Sequence, residues 1–195
     1  KITEKIETIL LGVDKKRFSK NTLKKAININ KEINILSEDY FLSISGAVRY
    51  HCLKELIIAY EQFRFNYKET PKFILLSMNL DNQYFLEIKD TIANSKYSKD
   101  ILLIENINSD LIPSLYSNAT LYIFSSYCEV FGLTNLEAMC CDVPVITANK
   151  SALPEICGNS AIYFDPRNSN DIKNKIVDVY FDEKLKKEMI IKGRN

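Results

Sequence analysis

A single histidine, His51, leaves no basis for a Ser-His-Asp or Cys-His nucleophilic centre in these 195 residues. No Gly-x-Gly-x-x-Gly follows a strand-like run and no Walker lysine motif occurs, so dinucleotide and P-loop sites lack support. Apolar runs stop at four or five residues, far short of the ~20 needed to span a bilayer as a helix. No positively charged start leads into an apolar stretch, and a secretory signal is not expected. The net charge of +1 implies neither a polyanion-binding surface nor an acidic tail. Basic and aromatic residues are too scattered for a nucleic-acid surface. Cys52, Cys128, Cys140, Cys141 and Cys157 are odd in number and lack metal or disulfide spacing. They are expected to be buried free thiols in a reducing compartment.

What is present is the pattern of an ordinary globular domain, 46% hydrophobic and 26% charged. Short apolar runs at Phe41–Ile44, Phe73–Leu76, Ile101–Ile104, Leu121–Phe124, Val143–Thr147 and Ala161–Phe164 read as six strands covered on both faces. Segments of helical period lie between them. Leu53, Leu56, Ile57 and Tyr60 share one face, as do Ile172, Ile176, Val179 and Tyr180. Ser109 is a candidate N-cap for a short helix through Tyr116, and Pro154 suits a first helical position. Alternating strand and helix predict an α/β fold: a Rossmann-like three-layer α/β/α domain on a six-stranded parallel sheet.

The most informative string is Cys128-Glu129-Val130-Phe131-Gly132-Leu133-Thr134-Asn135-Leu136-Glu137. Two carboxylates, with seven residues between them, flank a loop-to-helix junction, and the apolar run Pro144-Val145-Ile146 follows. The string resembles the E-x(7)-E signature of the retaining glycosyltransferases of family 4 (group 1), which have the GT-B architecture. Leu10-Leu11-Gly12-Val13-Asp14 with Phe18 resembles the segment joining the two domains of such enzymes. The resemblance implies a linker and lead-in over 1–38 and a donor-binding domain over 39–195, one half of a GT-B enzyme. Both ends look cut, and the N-terminal acceptor-binding domain is expected to be missing.

The resemblance also assigns roles. Glu129 is expected to face the transferred sugar and support an oxocarbenium-like transition state. Glu137 is expected to hold the ribose hydroxyls, although Thr134-x-x-Glu137 also fits a capping box that needs no ligand. Phe131, Gly132, Leu133 and Thr134 would offer main-chain amides to the donor at a helix N-terminus. Ser151 and Leu153 fall near the base and ribose; Glu155 supports a short helix, and Asp165-Pro166 ends the last strand. Tyr127 and Phe131 also fit plain packing roles. The chain departs from the family in two places. Val130 replaces a glycine of the usual Glu-Gly-Phe-Gly, and Ser45 and His51 stand where an Arg and a Lys neutralise the departing diphosphate. Arg49, His51 and Lys54, beside Gly46, are the candidates to share that task.

The implied reaction is retaining glycosyl transfer from a nucleotide-diphosphate sugar to a glycan or lipid-linked glycan. Without an Asp-x-Asp, no metal and no cofactor are expected. The implied setting is cytoplasmic synthesis of a surface polysaccharide or glycolipid, the whole enzyme peripheral to the inner face of the membrane. Two alternatives stay open: a non-catalytic nucleotide-sugar-binding module, and an epimerase or phosphorylase of the same architecture.

Overall fold

Six parallel strands form one sheet in the order β3-β2-β1-β4-β5-β6. The computed structural model describes residues 11–20, 39–68 and 71–194, so most of the linker expected over 1–38 lies outside the described residues. The strands are β1 (Tyr40–Ala47), β2 (Lys72–Asn79), β3 (Ile101–Ile104), β4 (Leu121–Phe124), β5 (Val145–Ala148) and β6 (Ala161–Phe164). Three coincide with the apolar runs. β1 and β2 extend beyond theirs, because the ladder continues through Ser45↔Ser77, Gly46↔Met78 and Ala47↔Asn79. Main-chain pairing there does not depend on apolar side chains.

The helices are α1 (Leu53–Asn66), α2 (Asn82–Ala93), α3 (Ile112–Asn118), α4 (Leu133–Cys140), α5 (Leu153–Cys157), α6 (Ser169–Tyr180) and α7 (Glu183–Gly193). Both predicted faces are inside: Leu53, Leu56, Ile57 and Tyr60 on α1, and Ile172, Ile176 and Val179 on α6. Side chains start several helices in the way expected of Asx caps. Asn168 accepts from the Asn170 and Asp171 amides, and Asp81 from the Tyr84 amide. Ser109 does not cap α3. A 3-10 turn over Ser109–Leu111 comes first, and Asn108, one residue earlier, accepts from the Asp110 amide. All five cysteines are free; Cys52, Cys141 and Cys157 are buried as expected, whereas Cys140 is half-buried and Cys128 is exposed on its loop.

α1 packs on α2 and α6, and α3 packs on α4. Between α1 and α6 lies an aromatic cluster, with the Phe63 ring 5.4 Å from Phe41, 5.7 Å from Tyr180 and 5.1 Å from Tyr67. Buried tyrosines keep their hydroxyls satisfied: Tyr40 donates to the Leu115 carbonyl and Tyr60 to that of Pro71. Phe63→Ala is expected to cost about 3–5 kcal/mol in urea denaturation, because a fully buried ring leaves a cavity its rigid neighbours cannot fill.

The strand order reverses between β1 and β4, whose registered pairs are Phe41↔Leu121 and Leu42↔Tyr122. Beyond the carboxyl ends of those two strands the connecting loops diverge and leave a crevice.

Candidate functional site

Two loops flank the crevice and are tied to each other. After β1 the chain makes a 3-10 turn, Arg49–His51, then passes through Cys52 at φ +50° into α1. No side chain of its own caps α1; the Tyr84 hydroxyl from α2 accepts from the Leu53 amide instead. After β4, Ser125 donates to the His51 carbonyl at 2.7 Å and the Tyr127 amide to the Tyr50 carbonyl at 2.6 Å. These two bonds hold the β1 and β4 loops in one frame.

The cleft between them has a volume of about 620 Å³. Ser45, Gly46 and His51 line it from the β1 side, and Glu129 to Thr134 from the β4 side. Met78, the Glu105–Ile107 stretch and Leu11 complete its walls. A second cleft, about 460 Å³, lies among Gln62, Asn66, Tyr97 and Lys173. Asn66 and Tyr97 lead into β2 and β3, which places that cleft at the amino ends of the strands. The first cleft occupies the position where open parallel sheets bind ligands.

α4 begins at the cleft. Gly132 is its N-cap at φ +90°, a conformation L side chains rarely adopt. A Cβ at Gly132 would stand 2.5 Å from Leu153 Cδ2 and 3.0 Å from Asn135 Nδ2. The amides that open α4 have no partner within the helix and carry the positive end of its dipole. The expected capping box is not formed. Thr134 is already inside the helix, because the cap sits two residues earlier, and the Glu137 carboxylate accepts from the Tyr116 hydroxyl at 3.0 Å. Ser45 Oγ and Thr134 Oγ1, on opposite walls of the cleft, are buried atoms without a hydrogen-bond partner. Such atoms carry a desolvation cost that a polar ligand would remove.

Of the residues singled out in the sequence, Gly46, His51, Glu129, Phe131, Gly132, Leu133 and Thr134 line this cleft. Arg49 and Lys54 do not: both turn their cationic ends to Glu87 on α2, at 2.6 and 3.5 Å. Val130, where the family has glycine, stands 92% exposed at the loop tip. One Glu129 oxygen accepts from the Val130 amide at 3.2 Å. Ser151, itself at φ +56°, donates to the Glu129 carbonyl at 2.6 Å and so braces the loop from outside the cleft. Tyr127 stacks under the Arg167 guanidinium, 3.8 Å from the ring centroid.

Glu137 lies behind the helix start, half-buried. Burial raises its pKa above the usual carboxylate value; the Tyr116 hydrogen bond and the Arg17 charge act the other way. Tyr116 is fully buried, and burial drives its own phenol well above the ordinary value, so it stays a donor. The lead-in segment reaches the same place: Phe18 is buried edge-on against Tyr116, and the Arg17 guanidinium donates to the Ser109 carbonyl. Sequence reasoning missed Tyr116 as the partner of Glu137. The link arises only from the packing of α3 on α4, for which no local signal exists.

Among the described residues, no group of three or more His, Cys, Asp or Glu could hold a metal ion, and no helix is long and apolar enough to cross a membrane.

A family model described as "Glycosyl transferases group 1" matches residues 20–195. The O-antigen chain mannosyltransferase B of Escherichia coli is 34% identical over 82 residues, covering 42% of this chain and 22% of that protein. A glycosyltransferase of Methanocaldococcus jannaschii is 27% identical over 188 residues, covering 92% of this chain and 51% of its own length. The chain thus spans about half, or less, of these curated relatives. Among solved structures, the C-terminal domain of a group 1 family glycosyl transferase from Francisella tularensis superposes with a TM-score of 0.76 at 24% identity, covering 94% of this chain and 95% of that one. Anabaena HepE, solved with UDP and glucose, gives a TM-score of 0.78 at 19% identity, over 94% and 49% of the two chains.

Proposed function

This chain belongs to the group 1 glycosyl transferases, and from that premise we propose that it is the donor-binding half of a retaining, family 4-type enzyme. The observation that carries the reading is the convergence of Glu129 and the α4 N-terminus on one cleft at the β1/β4 switch point. In this reading the donor's diphosphate sits against the opening amides of α4, where the dipole favours negative charge. The sugar lies toward Glu129 and the ribose toward Glu137. The anomeric carbon–oxygen bond to the phosphate breaks, the acceptor hydroxyl bonds on the same face, and its proton passes to the departing phosphate oxygen. Glu129 stabilises the positive charge that develops on the sugar ring. A second domain presents the acceptor, a glycan or lipid-linked glycan, on the cytoplasmic side. Several relatives are named mannosyltransferases, which makes a mannose-bearing donor the first to try.

Isothermal titration with GDP and UDP tests the reading. Micromolar binding that Glu137→Ala abolishes supports it, and no binding of either nucleotide at millimolar concentration contradicts it. Tyr116→Phe is a finer probe. Loss of the phenol leaves Glu137 without a donor and moves its titration further up. Nucleotide affinity is expected to fall at pH 7, because the Glu137 carboxylate loses the partner that fixes its position and favours its charged form. The deficit grows as pH falls, because a raised pKa means the carboxylate is lost earlier on acidification.

One observation favours a second reading, a nucleotide-sugar-binding module without transfer activity. No Lys or Arg is among the described residues lining the cleft. Nucleotide binding without any sugar transfer by the intact protein would select that reading.

A further inference from the structure

The charge balance of the cleft raises a question that the donor-site reading leaves open. A nucleoside diphosphate brings two to three negative charges on the order of a few ångströms apart, and neutralising them needs cations as well as amides. Two carboxylates, Glu105 and Glu129, already line the cleft, and His51 is the one basic side chain among the described lining residues. Arg49 and Lys54 are committed to Glu87.

We propose that His51 meets the donor's diphosphate as an imidazolium, so that this chain takes up its nucleotide together with a proton. The proposal rests on the donor-site reading above and adds a pH sensitivity to it.

The geometry defines which nitrogen is available. His51 is buried, and its Nδ1 lies 2.6 Å from the Gly46 carbonyl oxygen. A carbonyl only accepts, so Nδ1 carries a proton and the tautomer is set. Nε2 is the remaining proton site. It is an acceptor in the neutral ring, repelling a phosphate oxygen, and a charge-assisted donor once protonated. Imidazole is the side chain whose charge changes in the physiological range.

On the turn that carries His51 are Arg49, bound to Glu87, and Tyr50, whose ring meets the imidazole edge-on at 4.7 Å. On α1, Lys54 is held by Glu87; at its start the Cys52 thiol is pushed up to about 11, chiefly by burial, and stays neutral. From α2 comes Tyr84, raised to about 12 by burial. β4 contributes the uncharged Phe124 ring, 6.0 Å away, and behind it Tyr122, whose phenol is pushed up by burial and stays neutral. The β4 loop brings Glu129 and Tyr127, the latter covered by Arg167, and the β3 loop brings Glu105, paired with Lys89 at 2.5 Å. The bound diphosphate itself brings negative charge next to the ring and favours its charged form, so binding strengthens as pH falls.

The test titrates the 195-residue chain and its His51→Asn variant with GDP and with UDP at pH 6, 7 and 8. Asparagine can place its amide nitrogen where Nδ1 stands and keep the bond to Gly46, while it lacks Nε2. The ratio of wild-type to variant affinity is expected to rise about tenfold from pH 8 to pH 6, one unit of proton-affinity change. Using the ratio cancels the titrations of the nucleotide and of Glu137, which both proteins share. A second measurement needs no variant. As the chain has one histidine, its Cε1–H proton resonance is unique, and its titration curve should move to higher pH when GDP or UDP is added. Binding with a flat ratio, or with an unmoved His51 curve, overturns the proposal and leaves the donor site standing. Absence of binding at every pH overturns the donor-site reading, and the proposal with it.

Discussion

Glu129→Ala is expected to lower sugar transfer by the intact enzyme about 10²–10³-fold while leaving nucleoside-diphosphate affinity within about twofold. The asymmetry follows from position. Glu129 lies on the loop before α4 and lines the cleft, and among the described residues the hydrogen bond of its carboxylate is to the neighbouring Val130 amide. Its main chain, not its side chain, receives the Ser151 brace. On the proposed reading, truncation removes a negative charge from beside the reacting sugar without moving the α4 amides assigned to the diphosphate. Glu129→Gln separates charge from size: it keeps the shape and is expected to be nearly as inactive. Full activity in both variants would exclude the assigned role.

Gly132→Ala is expected to have the largest effect on the site as a whole. At φ +90° an L residue is strained by roughly 1–3 kcal/mol. Space is denied as well, since the added Cβ would press on Leu153 Cδ2 and Asn135 Nδ2. The loop must leave its position, and the Glu129 backbone and the first turn of α4 leave with it. Donor affinity should fall at least tenfold and the melting temperature by about 5–10 °C, at roughly 2–4 °C per kcal/mol for a chain of this size. Gly158→Ala is the control. Its φ is +53° at ψ −130°, so the backbone strain of roughly 1–3 kcal/mol is shared, but nothing lies within 4 Å of the added carbon, and a stability loss with unchanged nucleotide affinity is expected.

The two variants differ in how far their logic was legible beforehand. Both residues belong to one continuous string, and the chemistry of that string is local: a carboxylate, a glycine turn, a helix start. The strands were legible for a similar reason. Ile101–Ile104, Leu121–Phe124 and Ala161–Phe164 are apolar runs with polar residues on either side, so their limits are printed in hydrophobicity. β1 and β2 run on through Ser45 and Asn79, where pairing is by main chain alone.

What could not be read was every partnership made across the chain. Arg49 and Lys54 look like phosphate ligands until α2 brings Glu87 beside them. Thr134 and Glu137 spell a capping box, yet the helix starts at Leu133 and Tyr116 claims the carboxylate. Ser151 turns out to brace Glu129 because the loops after β4 and β5 lie side by side. Each depends on which helices pack together, and side-chain spacing in one segment carries no record of that.

The most direct measurement is a crystal structure of this chain soaked with GDP-mannose and, in parallel, with a UDP-sugar. A sugar hydroxyl within about 2.6–3.2 Å of the Glu129 carboxylate, with the diphosphate over the first turn of α4, is the predicted result. Density for the nucleotide in the opposite cleft beside Gln62 and Lys173, or a sugar turned away from Glu129, would contradict it.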